Sequence, residues 1–177
     1  MHKFLIAAAS SNSGKTTFTM GVLRALTRQG LKVQPYKCGP DYIDPMFHRQ
    51  ASDTESVNLD TVMSSPEHVK QIFEHYSKGA DVCVVEGVMG LYDGRNSWQG
   101  SSAEIAQLLD LPVVLLINGR STAYSVAPLI YGFKHFVPQP TAAVPNPNHS
   151  ILPVWYSIWL VQNDTMTCCA RLARTWA

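Results

Sequence analysis

The sequence predicts an α/β protein with a parallel sheet that is covered by helices on both faces. Two observations predict it. Short apolar runs that are typical of buried strands alternate with segments of helical periodicity. The first apolar run is followed by a loop of small residues and then by Gly-Lys-Thr-Thr, the arrangement that a nucleotide phosphate loop requires. We expect residues 1–136, which carry this alternation, to form one domain.

The first strand is the apolar run 4–7, and the predicted phosphate loop follows it at 8–17. Small residues let successive backbone N–H groups point at a polyphosphate, and the first turn of the helix adds unpaired N–H groups. Lys15 would reach the β- and γ-phosphates, and the Thr16 hydroxyl would ligate Mg²⁺. The usual pattern has glycine where this chain has Ala9, so φ must be negative there. The predicted nucleotide-binding residues of the loop are Ser11, Asn12, Ser13, Gly14, Lys15, Thr16 and Thr17.

The alternative for this segment is a serine-rich turn that caps a helix and leaves Lys15 in solvent. The first helix should end near Gln29, with Gly30 as its left-handed cap. Little periodicity follows in 38–63, which we interpret as a long functional loop. Further helices are predicted at 64–76, from Ser101 onward and at 122–136, and further strands at 31–37, 81–87 and 112–117.

Two predicted helices begin with capping boxes, formed by Ser64 with Glu67 and by Ser101 with Glu104. Val69, Ile72, Phe73 and Tyr76 should form the buried face of the first of these helices.

Polar side chains follow several of the predicted strands. Because the carboxyl ends of parallel strands meet at one edge, the loop at Ser10, the loop at Cys38, Glu86 and Asn118 should converge. Glu86 closes an apolar strand, which favours a metal ligand, although a helix cap or an ion pair is the alternative.

Three further polar side chains near this edge carry open alternatives. Asp41 and Asp44 would hold Mg²⁺ or orient a nucleophile, or they simply bond backbone N–H groups of a turn. Lys37 would steady a γ-phosphate or a bound carboxylate, or it is an ordinary solvated lysine. Asp93 would touch substrate or merely cap a turn.

Composition excludes several classes of protein. The chain has 177 residues and a net charge of +1, which argues against a broad nucleic-acid surface. No run approaches the roughly 20 apolar residues of a membrane span, and the start of the chain lacks the features of a signal peptide. None of the four cysteines has Cys-x-x-Cys spacing and Cys83 lies in an apolar run, so we expect reduced thiols in a cytoplasmic protein, not disulfides or a zinc site.

Four motifs carry a family resemblance. They are Ser-Asn-Ser-Gly-Lys-Thr-Thr in the loop, Lys-Cys-Gly-Pro-Asp-Tyr-Ile-Asp-Pro-Met-Phe-His at 37–48, Asn-Leu-Asp at 58–60 and Val-Glu-Gly-Val-Met-Gly-Leu-Tyr-Asp at 85–93. Together with Gly-Ser-Ser-Ala-Glu-Ile-Ala at 100–106, they closely resemble the amino-terminal domain of the cobyrinic acid a,c-diamide synthase family. That domain is a deviant phosphate-loop NTPase of the SIMIBI type, related to dethiobiotin synthetase. The resemblance covers about residues 3–136.

The resemblance implies ATP- and Mg²⁺-dependent amidation of the a and c carboxylates of a corrinoid through acyl phosphates, with ammonia released from glutamine by a carboxyl-terminal domain. By position in the motifs, it implies catalytic roles for Lys15, Asp41, Asp44 and Glu86, and metal ligation by Thr16, Asp44 and Glu86. It also implies nucleotide contact by Lys37 and substrate contact by Tyr42, Ile43 and Asp93. A homodimer is left open.

The chain departs from the family in places. Asn12 stands where the family often has glycine, and the pattern stops near Phe136, before an expected further strand that would end in an adenine-reading asparagine. We expect 137–177 to be an irregular tail, produced by a frameshift, with no glutaminase domain, and neither Cys168 nor Cys169 replaces its nucleophile. We therefore expect no glutamine hydrolysis and at best weak ammonia-dependent synthetase activity.

Two further interpretations stay open. One is a sister ligase for hydrogenobyrinic acid or nickel sirohydrochlorin. The other is a non-catalytic nucleotide-binding module of the ParA/MinD kind, although such proteins usually carry a second lysine early in the loop and 8–11 has none.

Overall fold

The strand that precedes the phosphate loop lies at the centre of the sheet. The computed structural model describes residues 1–147, 159–162 and 165–168. Its strands are β1 (His2–Ala8), β2 (Val33–Cys38), β3 (Val57–Leu59), β4 (Val82–Glu86), β5 (Val113–Asn118), β6 (Trp159–Gln162) and β7 (Thr165–Cys168). They form one sheet in the order β3-β2-β4-β1-β5-β6-β7. Strands β1 to β6 pair in parallel and β7 pairs antiparallel with β6, so the predicted parallel sheet is confirmed with one antiparallel edge strand added.

Helices cover both faces of this sheet. They are α1 (Lys15–Arg28), α2 (Asp44–Ser52), α3 (Pro66–Tyr76), α4 (Ser102–Leu108) and α5 (Val126–His135). Side chains of a strand alternate between faces, and in β1 Ile6 packs with the core under α1 and α2. Leu5 and Ala7 pack instead with the core under α3, α4 and α5. The predicted two-sided packing is therefore confirmed.

Two predicted helix ends are confirmed by the backbone. Gly30 follows the end of α1 with a φ of 82°, the left-handed conformation expected of a glycine cap. At the start of α4, the Ser101 hydroxyl accepts a hydrogen bond from the Glu104 N–H at 3.2 Å. The Glu104 carboxylate does not complete a capping box, because it accepts instead from the Gly100 N–H at 2.8 Å and from the Thr61 hydroxyl at 2.5 Å.

The prediction for the start of α3 is wrong by one residue. Ser65, not Ser64, caps the helix, because its hydroxyl accepts from the His68 N–H at 3.2 Å and Pro66 then occupies the first helical position. Tyr76 was predicted to be buried but is 47% exposed. The buried position one turn after Phe73 is taken by Ser77, which bonds to the Tyr36 hydroxyl of β2, so Tyr76 lies to the side of the buried face.

The interpretation of 38–63 as one long loop is wrong. The segment contains α2 and β3. The buried residues of α2 are His48, Ala51 and Ser52, whereas Met46 and Phe47 are exposed. Since the usual hydrophobic pattern is inverted, apolar periodicity gives no helical signal here. The three residues of β3 are too few for periodicity to detect.

The tail was predicted to contain no further strand, and this is also wrong. β6 pairs in parallel with β5, with Leu116 opposite Trp159. Before it, Val144 is buried in the core under α3 and α4, and the indole N–H of Trp98 donates to the Gln139 carbonyl. Four-residue strands leave too short a pattern to find in sequence. The remaining predictions for 148–158, 163–164 and 169–177 fall outside the described residues.

Candidate phosphate and metal site

The phosphate loop joins β1 to α1 and includes two residues in the left-handed conformation. Asn12 has a φ of 58° and Gly14 a φ of 81°, values that asparagine and glycine adopt more readily than other residues. Asparagine therefore fits at position 12, where the family that this chain resembles often has glycine. Ala9 is not among the residues of positive φ, which confirms that alanine fits with a negative φ. The Ser13 hydroxyl donates to the Ser10 carbonyl at 2.8 Å and so restrains the loop.

Lys15, the first residue of α1, is only 8% exposed. Its Nζ donates to the Met89 carbonyl at 2.7 Å and to the Ser10 carbonyl at 3.5 Å. Burial, and then repulsion from Lys37, lower the pKa of Lys15 below its ordinary value. The ammonium group is therefore held between the phosphate loop and the loop after β4. The alternative interpretation, with Lys15 in solvent, is wrong.

A polar cluster formed by Thr16, Lys37, Asp44 and Glu86 lies beside the phosphate loop. The Thr16 hydroxyl donates to Glu86 Oε1 at 2.7 Å and lies 3.3 Å from Asp44 Oδ2. Lys37 Nζ lies 2.6 Å from Asp44 Oδ2 and 3.1 Å from Glu86 Oε1. Four elements meet here: α1, the ends of β2 and β4, and the start of α2. The predicted convergence at the carboxyl edge is confirmed for these segments.

Glu86 and Lys37 stabilise each other's charge. Burial by itself raises the pKa of Glu86, but a hydrogen bond from His48 and attraction to Lys37 outweigh it and bring the pKa to about 2. Burial by itself lowers the pKa of Lys37, but Glu86 and Asp44 outweigh it and the pKa is raised. Lys37 is 3% exposed, so the interpretation as a solvated lysine is wrong. Glu86 forms the ion pair that was the alternative to metal binding, and it also accepts from the Thr16 hydroxyl.

A pocket of about 490 Å³ opens at this cluster. Its lining includes most of the predicted nucleotide, metal and catalytic residues, together with two residues of the loop after β4. The lining residues are Ser11, Asn12, Gly14, Lys15, Thr16, Thr17, Lys37, Asp41, Asp44, Glu86, Val88 and Met89. The structure therefore brings together in one cavity residues from four separate sequence segments.

Five predicted site residues lie outside this lining. Ser13 is 5% exposed and bonds within the loop. Tyr42 and Ile43 are 81% and 66% exposed, just before α2. Asp93 caps a turn, since its Oδ2 accepts from the Gly90 N–H at 3.0 Å. Asn118 Oδ1 accepts from the Arg120 N–H at 2.9 Å, so the expected convergence of Asn118 is not seen.

Asp41 bonds backbone N–H groups of a turn, which was the alternative to a role in Mg²⁺ binding or catalysis. Its Oδ1 accepts from the N–H groups of Ile43 at 2.8 Å and Asp44 at 3.1 Å, which holds the turn into α2. Its Oδ2 lies 3.7 Å from Lys37 Nζ on the pocket side. Asn58 holds the other end of the turn by donating to the Asp41 carbonyl at 2.7 Å.

The oxygen atoms of this pocket fit Mg²⁺. The Thr16 hydroxyl lies within hydrogen-bond distance of the carboxylates of Asp44 and of Glu86, and all three groups are hard oxygen ligands. The carboxylates of Asp41, Asp44 and Glu86 also outnumber the two lysines of the lining, so a polyphosphate needs a cation to bind beside them. Among the described residues, no group of three or more His, Cys, Asp or Glu is arranged to hold a metal alone. A magnesium ion here would therefore take its remaining ligands from phosphates and water.

Sequence analysis gave no role to His48, which the structure places against Glu86. His48 is fully buried, and its Nε2 lies 2.6 Å from Glu86 Oε2. The spacing of Asp44 and His48, four residues apart, was the available signal, because such residues share one face of a helix. It was missed because the segment was interpreted as a loop.

Comparison with known proteins agrees with this geometry. Residues 4–127 match the family described as the CobQ/CobB/MinD/ParA nucleotide binding domain. The hydrogenobyrinate a,c-diamide synthase of Brucella ovis is 49% identical over 137 residues, which are 77% of this chain and 31% of that protein. The cobyrinate a,c-diamide synthase of Picrophilus torridus is 48% identical over 134 residues, which are 75% of this chain and 30% of that protein. The chain thus spans about a third of the length of the curated relatives it matches.

A solved structure of chloroplast FtsY from Physcomitrella patens has the same fold. The TM-score is 0.52 at 14% sequence identity, over 74% of this chain and 45% of that one. Among the described residues, no helix is both long enough and apolar enough to cross a membrane. From the match over residues 4–127 and the phosphate loop that the structure shows, the chain belongs to the CobQ/CobB/MinD/ParA nucleotide-binding domain family.

Proposed function

We propose that this chain binds Mg-ATP and phosphorylates a carboxylate of a corrinoid acid, cobyrinic or hydrogenobyrinic acid, as the first half of an amide-forming reaction. The observation that carries the proposal is the pocket in which Lys15, Thr16, Asp44 and Glu86 meet beside the phosphate loop. The names of the relatives supply the substrate class, since both printed names are a,c-diamide synthases.

The residues of the pocket divide the work of binding. The amide groups of the phosphate loop and of the first turn of α1 surround the phosphates. Lys15 exchanges its two carbonyl partners for oxygens of the β- and γ-phosphates. Thr16, Asp44 and Glu86 would hold Mg²⁺, and a bound Mg²⁺ would neutralise charge on the transferred phosphate. Lys37, kept charged by Glu86 and Asp44, adds a second cation to the lining of the pocket.

The chemistry needs two steps. A carboxylate oxygen of the corrinoid attacks the γ-phosphorus, the bond between that phosphorus and the bridging oxygen breaks, and ADP leaves. The nitrogen of ammonia then attacks the acyl carbon, loses a proton, and inorganic phosphate leaves with one of the original carboxylate oxygens. Phosphorylation is required because a carboxylate has no adequate leaving group for direct attack by ammonia.

The substrate side of the proposal rests on exposed residues beside the pocket. Tyr42 and Ile43 offer apolar surface to a flat macrocycle at the loop that carries Asp41, and Asp93 lies at the loop after β4 and faces the same edge. Ammonia derived from glutamine is the proposed nitrogen donor. A homodimer is the proposed assembly. The proposed location is the cytoplasm, in keeping with the free thiols of Cys38 and Cys83.

Oxygen labelling tests the proposed reaction. Cobyrinic or hydrogenobyrinic acid with ¹⁸O in its carboxylates is incubated with the protein, ATP, Mg²⁺ and ammonium chloride. We expect inorganic phosphate to carry ¹⁸O, even if turnover is slow. Unlabelled phosphate that accompanies amide formation would refute the acyl phosphate, and the preferred labelled acid identifies the macrocycle. Nickel sirohydrochlorin is the third acid to compare.

Nucleotide binding is tested separately by thermal unfolding with and without Mg-ATP. A ligand that binds only the folded protein at 100 times its Kd stabilises it by about 2.7 kcal/mol. We expect this gain in the wild type and its loss in Lys15→Ala. ATP hydrolysis that ignores every macrocycle but responds to a protein partner would favour the ParA/MinD-like alternative instead.

We also propose that residues 137–177 derive from a frameshift. The family match ends at residue 127, and the similarity to the relatives covers about three quarters of the chain. Translation of the other two frames of the gene beyond codon 136 tests this. If neither frame resembles the diamide synthases, the proposal fails.

A further inference from the structure

We infer that His48 is a positioning residue that dictates which oxygen of Glu86 faces the metal and nucleotide. The inference rests on the proposed Mg²⁺ site. Sequence analysis and the comparisons assign His48 no role, and its side chain lies behind Glu86 rather than in the lining of the pocket.

The two oxygens of Glu86 have separate partners. Oε2 lies 2.6 Å from His48 Nε2, while Oε1 lies 2.7 Å from the Thr16 hydroxyl and 3.1 Å from Lys37 Nζ. Both Glu86 and His48 are fully buried, so water does not replace either contact. With Oε2 engaged by the ring, only Oε1 is presented to the pocket. Glu86 therefore acts there through one oxygen and not as a bidentate ligand.

The direction of the hydrogen bond follows from the charge of Glu86. The carboxylate is paired with the Lys37 ammonium at 3.1 Å and accepts from the Thr16 hydroxyl at 2.7 Å, and an ionised carboxylate only accepts hydrogen bonds. His48 Nε2 therefore carries the N–H group that donates a hydrogen bond to Oε2. The other ring nitrogen, Nδ1, lies 3.0 Å from the Ser56 hydroxyl, which holds the plane of the ring from the opposite side. Ring orientation is thus determined at both nitrogens, as it is for histidines that support metal sites.

One short helix supplies two groups of this network: His48, which contacts Glu86 directly, and Asp44, which contacts its partner Lys37. Asp44 begins α2 and His48 follows one turn later on the same face. Asp44 accepts from Lys37 on the Oε1 side of Glu86, while His48 donates on the Oε2 side. The conformation of Glu86 is therefore coupled to the seating of α2 against the end of β4. This explains why a polar histidine occupies the buried face of α2 while Met46 and Phe47 lie outside.

Two amide substitutions of different reach test the inference. Glutamine at position 48 places an N–H donor at about the distance of Nε2, whereas asparagine is too short to reach Glu86 Oε2. The measurement is Mn²⁺ affinity by electron paramagnetic resonance with a non-hydrolysable ATP analogue, beside the affinity for that analogue in EDTA. We expect His48→Asn to weaken Mn²⁺ binding by about 10- to 100-fold, and His48→Gln to stay close to the wild type. The affinity for the analogue in EDTA should be the same in all three proteins.

Each outcome decides the matter. If the wild type binds Mn²⁺ and His48→Asn binds it equally well, the inference about His48 is overturned while the metal site stands. An equal loss of Mn²⁺ affinity in His48→Asn and His48→Gln also overturns it, because such a loss would indicate that His48 only fills space in the core. Absence of Mn²⁺ binding in the wild type overturns the metal site itself, and the inference with it. If His48→Asn does not fold, Ser56→Ala is measured instead, because it removes the hydrogen bond to His48 Nδ1 and leaves the imidazole in the core. Wild-type Mn²⁺ affinity in Ser56→Ala would then overturn the inference.

Discussion

Replacing Glu86 with glutamine should remove an acid-sensitive contribution to stability of about 3 kcal/mol. The pKa of Glu86 is about 2 in the folded protein against an ordinary value of 4.5. A pKa difference of one corresponds to about 1.4 kcal/mol, so the ionised, fully buried carboxylate favours the folded state by that order of magnitude. Since the folded-state pKa is depressed, the contribution is complete above about pH 4.5 and is lost as the pH falls through about 2.

The assay is urea unfolding followed by circular dichroism at pH 7, 5, 4 and 3. The free energy of unfolding of the wild type should exceed that of Glu86→Gln at pH 7, and the difference should shrink by about 2 kcal/mol by pH 3. Glu67→Gln is the matched control, since Glu67 is exposed in the first turn of α3, and it should follow the wild type. Equal pH dependence in the wild type and Glu86→Gln would refute the reasoning.

Five further substitutions test the buried ion pairs, the space around two glycines and the cap of α3. Lys37→Met leaves Asp44 and Glu86 without their cation and should cost about 3–5 kcal/mol in the free energy of unfolding; a loss under about 1 kcal/mol in urea titration would contradict the buried ion pairs. Gly90→Ala places a Cβ 2.5 Å from Asp93 Oδ2 and 2.9 Å from the Ala9 carbonyl, so we expect a loss of about 1–3 kcal/mol. Gly21→Ala, within α1 and with nothing within 4 Å, should instead gain about 0.5–1 kcal/mol, and calorimetry that shows the same sign for both glycines would be inconsistent with these contacts. Ser65→Ala should lower stability by about 1 kcal/mol and Ser64→Ala should not; thermal melts with the reverse order would restore Ser64 as the cap.

The inverted pattern of α2 shows where prediction from sequence fails and why. Periodicity assumes that large apolar side chains are buried, but α2 buries His48 and Ser52 and exposes Met46 and Phe47. The buried histidine is stable there because Glu86, distant in sequence, accepts its hydrogen bond. No local pattern contains that partner. Tyr76 fails for a different reason, since the polar Ser77 beside it takes the buried position one turn after Phe73 and Tyr76 is left exposed.

The phosphate loop shows the converse case. The position of the loop between a strand and a helix and the negative φ of Ala9 depend on neighbouring residues, so the sequence was sufficient to predict them. The alternation of strands and helices was likewise predictable, because each element carries its own periodicity and end signals.

The sequence by itself thus determined the fold class, the phosphate loop and which side chains stand at the carboxyl ends of the strands. Only the tertiary structure decided how those side chains pair. The sheet places β4 between β1 and β2, so Glu86 lies opposite Ile6 on one side and Lys37 on the other. Strand order arises from packing between segments far apart in the chain. For that reason the shared contacts of Glu86 with Thr16, Lys37 and His48 could not be derived from any stretch of sequence.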